Sequence, residues 1–266
     1  DNGDITLTAS GNKIEMGTAG ITTAQELQIV ATTSGAGEKL FDILVVPSKL
    51  NVLKAGGTTY TLIDNCNPAT FCTTEATFDI SYYDNTGTAQ TTSVNKSDVT
   101  EIEFNSVGKD YTSIGDNFLS GTTALTSVKF NGFVNVTSIG SNFMSGSSSN
   151  SLTELEFTGF ENVTSIGSNF VILKNNTAEC TVDMSAFKNL ESIGEYAFKE
   201  ENGGPTRIIL NCPKLKTIAR NFAYGGTYGT GRLLYFDASK CIELTYIGWH
   251  FLQANWINNQ EFYLPF

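Results

Sequence analysis

The sequence predicts a mostly β fold. Residues 99–266 read as a solenoid of about seven coils with one short parallel strand per coil, and residues 1–98 as a small β-rich domain, sandwich or Ig-like, that precedes it. Three observations carry this reading. A phrase of the form SIG, polar residue, Asn, Phe recurs at near-constant spacing. A second phrase, alternating apolar and polar residues, runs between its copies. The first 98 residues lack both phrases and hold short β-favouring runs separated by turn residues.

Along the N-terminal part, Ile5–Ala9, Leu27–Ala31, Phe41–Val46, Thr59–Ile63, Phe78–Tyr83 and Thr91–Val94 are the candidate strands. Ser10-Gly11-Asn12, Gly35-Ala36-Gly37, Gly56-Gly57 and Asp84-Asn85 supply turns between them. A short helix fits near Thr23–Leu27. The solenoid's apolar end must be covered, and this segment is placed to cap it. The boundary falls at Asn95–Asp98.

The recurring phrase reads TSIGDNF at 112–118, TSIGSNF at 137–143 and 164–170, ESIGEYAF at 191–198, KTIARNF at 216–222 and TYIGWHF at 245–251. Its isoleucines, Ile114, Ile139, Ile166, Ile193, Ile218 and Ile247, lie 25, 27, 27, 25 and 29 residues apart. The strand phrase reads VTEIEF, LTSVKF, LTELEF, CTVDM, TRIIL, LYFDA and QEFYL. Its period of two places Ile102, Val128, Leu155, Val182, Ile208, Phe236 and Phe262 inward, followed two residues on by Phe104, Phe130, Phe157, Met184, Leu210, Ala238 and Leu264. One such unit cannot bury its apolar side alone; stacking on its neighbours buries it. The glycines after the isoleucines (Gly115, Gly140, Gly167, Gly194, Gly248) imply a positive φ or a close backbone approach, although Ala219 interrupts the column. The asparagines at Asn117, Asn142, Asn169 and Asn221 suit turn hydrogen bonding.

A short strand followed by SIG, a polar pair and a buried Phe resembles the BspA-like leucine-rich repeat. Only ESIGEYAF at 191–198 keeps the family's usual SIGxxAF spelling; the other copies are one residue shorter there. The resemblance covers residues 99–266 and implies a surface or secreted protein of a host-associated microbe, linked with adhesion to host proteins or other cells.

Composition narrows the function. With 40% hydrophobic and 16% charged residues the chain is set to fold. A net charge of −11 without a Lys/Arg cluster excludes nucleic acid and anionic membrane surfaces as partners. No apolar run reaches the roughly 20 residues of a membrane-spanning helix. No metal or cofactor is expected: His250 is the only histidine and no CxxC pair occurs. Cys66 and Cys72 share one loop and fit a local disulfide or two free thiols equally; Cys180, Cys212 and Cys241 fall in the repeats as small buried hydrophobes. An enzyme is not expected, because Glu101 with Glu103 and Glu154 with Glu156 lie on a solvated strand face that offers no pocket.

Two surfaces are candidates for binding. The outward strand positions hold Glu101, Glu103, Lys129, Glu154, Glu156, Asp183, Arg207 and Asp237, an acidic stripe if the strands stack in register, with Lys129 and Arg207 answering part of the charge. Tyr224, Tyr228, Trp249, Trp256 and Tyr263 enrich the C-terminal region in aromatics suited to protein hot spots or sugar stacking, or to capping the last coil. The expected function is that of a monomeric, non-catalytic extracellular or cell-surface module, lipid-anchored through a removed leader if anchored at all, that recognises a host or microbial surface protein. A carbohydrate-binding protein using the aromatics and a structural spacer are the alternatives.

Overall fold

The structure is a computed structural model that describes residues 6–10, 13–17, 25–33, 37–45, 51–63, 68–86, 88–105, 111–131, 133–147, 152–173, 178–199, 203–225, 233–253 and 261–265. The chain divides into two compact units, Asp1–Lys49 and Leu50–Phe266. In the first unit β1 (Thr6–Ser10) pairs antiparallel with β2 (Lys13–Gly17), and β3 (Gln25–Thr33) with β4 (Gly37–Val45). The helix expected near Thr23–Leu27 is not formed over its described part. Gln25, Glu26 and Leu27 are already strand, held by nine consecutive pairings between β3 and β4.

The second unit opens with an antiparallel meander: β5 (Val52–Ala55), β6 (Thr58–Leu62), β7 (Thr77–Tyr83) and β8 (Ala89–Asn95). It is not a separate sandwich. β5 pairs antiparallel with β9 (Val99–Asn105), the first solenoid strand. β9 pairs in parallel with β11 (Ser127–Asn131), and β11 with β14 (Glu154–Phe157). The result is one seven-stranded sheet, β14-β11-β9-β5-β6-β7-β8. A free solenoid end would leave the β9 backbone and the first apolar layer exposed, and the meander satisfies both. Its Leu53, Leu62, Phe71, Phe78, Ile80 and Val94 join the same core as the coils. Phe71, on a 3-10 turn at Pro68–Phe71, plugs the coil interior with its ring 5.1 Å from Phe104 and 6.1 Å from Phe118. Lys96 ties the two parts together. It is buried, and its ammonium donates to the carbonyls of Thr73 (2.6 Å) and Ser120 (2.9 Å).

The short rungs β10 (Ser113–Ile114), β12 (Ser138–Ile139), β15 (Ser165–Ile166), β18 (Ser192–Ile193), β20 (Thr217–Ile218) and β22 (Tyr246–Ile247) form one parallel ladder with isoleucine directly on isoleucine. The wider strands continue as β17 (Thr181–Asp183), β19 (Arg207–Ile209), β21 (Tyr235–Asp237) and β23 (Glu261–Tyr263), a separate four-stranded parallel sheet. A minor parallel pair, β13 (Met144–Ser147) with β16 (Val171–Leu173), follows two of the rungs. Six rungs make five coil-to-coil steps, fewer than the seven coils that the phrases predict, and among the described residues β23 has no rung after it.

The predicted inward residues are buried from Ile102 to Phe236 and from Phe104 to Ala238. Phe262, at 42% exposed, and Leu264, half-buried, are the exceptions. Phe262 occupies the edge strand of its sheet, so no described coil stacks on it. Further buried columns complete each coil: Phe133, Phe160, Phe187, Cys212 and Cys241 six residues before the rung isoleucine, and Val136, Val163, Leu190 and Leu215 three before it.

The glycine column resolves to close approach. None of its five members has a positive φ. A Cβ on Gly167 would meet the carbonyl carbon of Gly140 at 2.7 Å, and one on Gly194 that of Gly167 at 2.6 Å. The positive φ lies two residues further on, at Asn117, Asn142, Asn169, Tyr196, Asn221 and His250, all between 55° and 62°. Asparagine tolerates this conformation, and the column is bonded along the solenoid. Asn142 Nδ2 donates to Asn117 Oδ1 (3.2 Å) and Asn169 Nδ2 to Asn142 Oδ1 (3.0 Å). In the longer copy at 191–198 the hydrogen-bond register seats Ala197 level with Phe170, because Val171 N–H donates to the Ala197 carbonyl just as Met144 N–H donates to that of Phe170. Phe198 enters from one residue later and meets Phe170 edge-on, at 85°, where Phe143 and Phe170 stack at 28°.

Candidate functional site

Parallel pairing sets the outward strand residues in columns. Lys129 sits between Glu103 and Glu156, and Ser127 between Glu101 and Glu154. In the second sheet Thr181, Arg207, Tyr235 and Glu261 line one column, and Asp183, Ile209, Asp237 and Tyr263 the other. The predicted registers hold within each sheet. Among the described residues no hydrogen-bonded ladder joins β14 to β17, although the two strands lie side by side, so Glu101, Glu103, Lys129, Glu154 and Glu156 stand on one sheet and Asp183, Arg207 and Asp237 on the adjoining one.

Most of these acids already have partners. Glu101 takes the Lys54 ammonium at 2.6 Å, and Glu156 lies 3.9 Å from Lys129. Asp183 accepts the Ser185 backbone N–H at 2.8 Å, and Asp237 that of Ser239 at 2.8 Å, so both carboxylates brace the turn that leaves their strand. Partial burial works against ionisation of Asp237, yet the Ser239 and Tyr235 hydrogen bonds hold it below the usual carboxylate range. Arg207 does not answer Asp183 as expected. Its guanidinium lies 3.9 Å from the centroid of the Tyr235 ring in the next strand. Stacking on an aromatic face suits arginine because its guanidinium is planar and weakly hydrated.

This contact opens a compact cluster on the four-stranded sheet. The Tyr235 hydroxyl donates to Asp237 at 3.4 Å, its ring lies 5.7 Å from that of Tyr263, and the Tyr263 hydroxyl donates to Glu261 at 3.4 Å. Desolvation and the neighbouring Asp237 push the Tyr235 phenol up. Tyr263 is 47% exposed. Three adjacent, hydrogen-bonded strands thus present Arg207, Tyr235 and Tyr263, the two tyrosines with their carboxylate partners.

The remaining aromatics divide. Tyr263 belongs to the sheet cluster, whereas Trp249 and Tyr224 lie on the turns that follow the rungs. Trp249, 59% exposed, has its ring 4.4 Å from that of His250 and the Arg220 guanidinium 5.5 Å from its centroid. Arg220 is held by Glu195 at 2.9 Å. Tyr224 stacks towards His250 at 6.3 Å and meets Tyr196 edge-on at 6.2 Å. Tyr228 and Trp256 lie outside the described residues. His250 Nδ1 is 3.3 Å from Asn221 Oδ1, so the histidine continues the asparagine ladder. Tyr196 stands at a repeat position otherwise held by asparagine and histidine, and Arg220 at the position that holds Trp249 in the next coil, so the repeat alignment itself marks both residues as departures.

A polar groove of about 400 Å³ runs across the coils and is lined by Asn135, Thr137, Asn162, Thr164, Asn189, Glu191 and Lys214. Its amides bond one another, Asn189 Nδ2 to Asn162 Oδ1 at 3.2 Å, and Lys214 donates to Asn189 Oδ1 at 2.7 Å. Cys72 is a free thiol beside Gly115, and Cys66 lies outside the described residues. Burial pushes the Cys180 thiol up to about 12 and raises Cys212 and Cys241 as well, which leaves all three as core-filling groups. Among the described residues no cluster of His, Cys, Asp and Glu is arranged to hold a metal ion, and no helix is long and apolar enough to cross a membrane.

No family model matches this sequence, no curated protein matches it, and no solved structure matches its fold.

Proposed function

We propose that this protein is a non-catalytic binding module, secreted or held at a cell surface, that recognises a partner protein through the outer face of the four-stranded sheet. On this reading the solenoid is a leucine-rich-repeat-like scaffold of the BspA type, and its role is adhesion to a host or microbial surface protein. The observation that carries the proposal is the Arg207–Tyr235–Tyr263 cluster. Arg and Tyr are enriched among residues that dominate protein interfaces, and here they stand on backbone that is ordered before a partner arrives. The acids of the first sheet have a smaller part, because Lys54 and Lys129 already answer two of them.

The test is binding of the labelled protein to intact host and microbial cells, with and without prior protease treatment. Protease treatment and the triple variant R207A/Y235A/Y263A are each expected to lower binding at least about tenfold. The double reversal E154K/E156K is expected to change it less. Binding that survives protease but disappears after glycosidase treatment and in W249A would replace this reading with the carbohydrate one, for which the exposed Trp249 beside Arg220 and His250 is the supporting observation.

A further inference from the structure

The two ends of the strand layer differ in how they protect their edges. At the C-terminal end the edge strand β23 has three residues and carries Glu261. At the other end the seven-stranded sheet finishes in β8, seven residues reading Ala-Gln-Thr-Thr-Ser-Val-Asn. An edge strand offers a row of unpaired N–H and C=O groups, and folded proteins usually blunt it with charge, proline, a bulge or brevity. β8 has none of these. It contains no charged residue and no proline, and its register with β7 runs without a break from Thr77↔Asn95 to Tyr83↔Ala89. Among the described residues no strand pairs with its outer edge.

The turn that leads into the strand is also fixed. Asp84 closes the β7–β8 turn by accepting from the backbone N–H groups of Thr86 and Thr88, both at 2.9 Å, and from the Thr86 hydroxyl at 2.6 Å. These bonds keep its carboxyl down at about 2. Ala89, Gln90, Thr91, Ser93 and Asn95 are exposed, while Val94 anchors the strand in the core.

We infer that β8 is a self-association edge, on which a second copy of this chain docks its own β8 antiparallel about a two-fold axis through Thr92. A strand with a free edge can pair with its own image, because a two-fold interface joins the same surface of both copies. Centring on Thr92 opposes Thr91 to Ser93 of the other copy, Gln90 to Val94, and Ala89 to Asn95. Hydroxyl meets hydroxyl, and no like charges face each other. This matters in a chain of net charge −11, where most surfaces would bring acid against acid. The same net charge makes the copies repel at long range, so the association strengthens as salt screens them.

The experiment is sedimentation velocity on the full chain over a dilution series at low and at moderate ionic strength. A monomer–dimer equilibrium that shifts towards dimer with concentration and with salt is expected. T91K/S93K and T91E/S93E each set like charges opposite one another in the pairing and are expected to sediment as monomers, with unchanged circular dichroism. An equimolar mixture of the two is expected to recover the dimer. Three results would overturn the inference: a wild-type monomer under every condition, dimers that persist in both double variants, or failure of the mixture to recover association. Capture by β8 of an extended segment from another protein, with this chain still monomeric, would overturn it too.

Discussion

The first three coils and the last three use the same backbone and fill it differently. In the first, Phe104, Phe130 and Phe157 stack at 5.4 and 5.5 Å with planes 7° and 2° apart, and Phe118, Phe143 and Phe170 at 5.0 and 4.9 Å. In the last, the strand column changes to Met184, Leu210 and Ala238, the neighbouring column turns from Phe to Cys212 and Cys241, and Phe198 comes in from a shifted position. The isoleucine ladder passes through both without a register change. The backbone therefore depends on a few seats, the rung isoleucine, the tight glycine and the left-handed residue two further on. The remaining interior tolerates exchange where total volume is kept. It is in the irregular half that the outward residues become aromatic.

Five variants break or sharpen this contrast. The largest effect is expected from the uniform half. Phe130→Ala removes a ring that touches Phe104, Phe143, Phe157 and Phe160, and should cost about 3–5 kcal/mol in urea denaturation. Phe251→Ala, at the half-buried end of the other column, should cost less than half as much; equal costs would show that the two halves are packed alike. Gly167→Ala comes next. Its Cβ would press on backbone atoms of Gly140 and Ser141 at 2.7 Å, and about 1–3 kcal/mol is expected. Ala219→Gly, in the coil that already accepts alanine, should change stability by under about 1 kcal/mol. The smallest effect is a gain. Tyr196 holds a φ of 55° in a column otherwise mostly asparagine, so Tyr196→Asn should raise the melting temperature by a few degrees, equivalent to roughly 0.5–1 kcal/mol. A fall would mean that the Tyr224 contact outweighs the backbone relief.

The repeats were legible because each column recurs at one sequence offset, so Ile139, Ile166 and Ile193 announce their own stacking. The strand phrases were legible for a second reason: a period of two sorts Val128 and Phe130 inward and Lys129 outward before any pairing is known. The candidate site was only half legible. The columns that hold Arg207, Tyr235 and Tyr263 follow from the phrases, but the choice Arg207 makes between Asp183 and Tyr235 depends on side-chain geometry. The charge balance of the acidic face was not legible, because sequence shows neither that ladder pairing is interrupted between β14 and β17 nor that Lys54 comes from the meander to meet Glu101.

Sequence alone determined the repeat, its inward and outward residues and the stacked isoleucine column, since all of these are local or strictly periodic; that the isoleucine segments pair as a second parallel ladder, beyond the one strand per coil that the phrases predict, came from the structure. The tertiary structure alone decided that residues 52–95 add their strands to the solenoid sheet, that the glycines serve close contact while the asparagines take the left-handed turn, and that among the described residues no strand pairs with the outer edge of β8. Each of those depends on which backbone lies beside which across tens of residues, and hydrogen-bond pairing at that range leaves no periodic trace in a single chain.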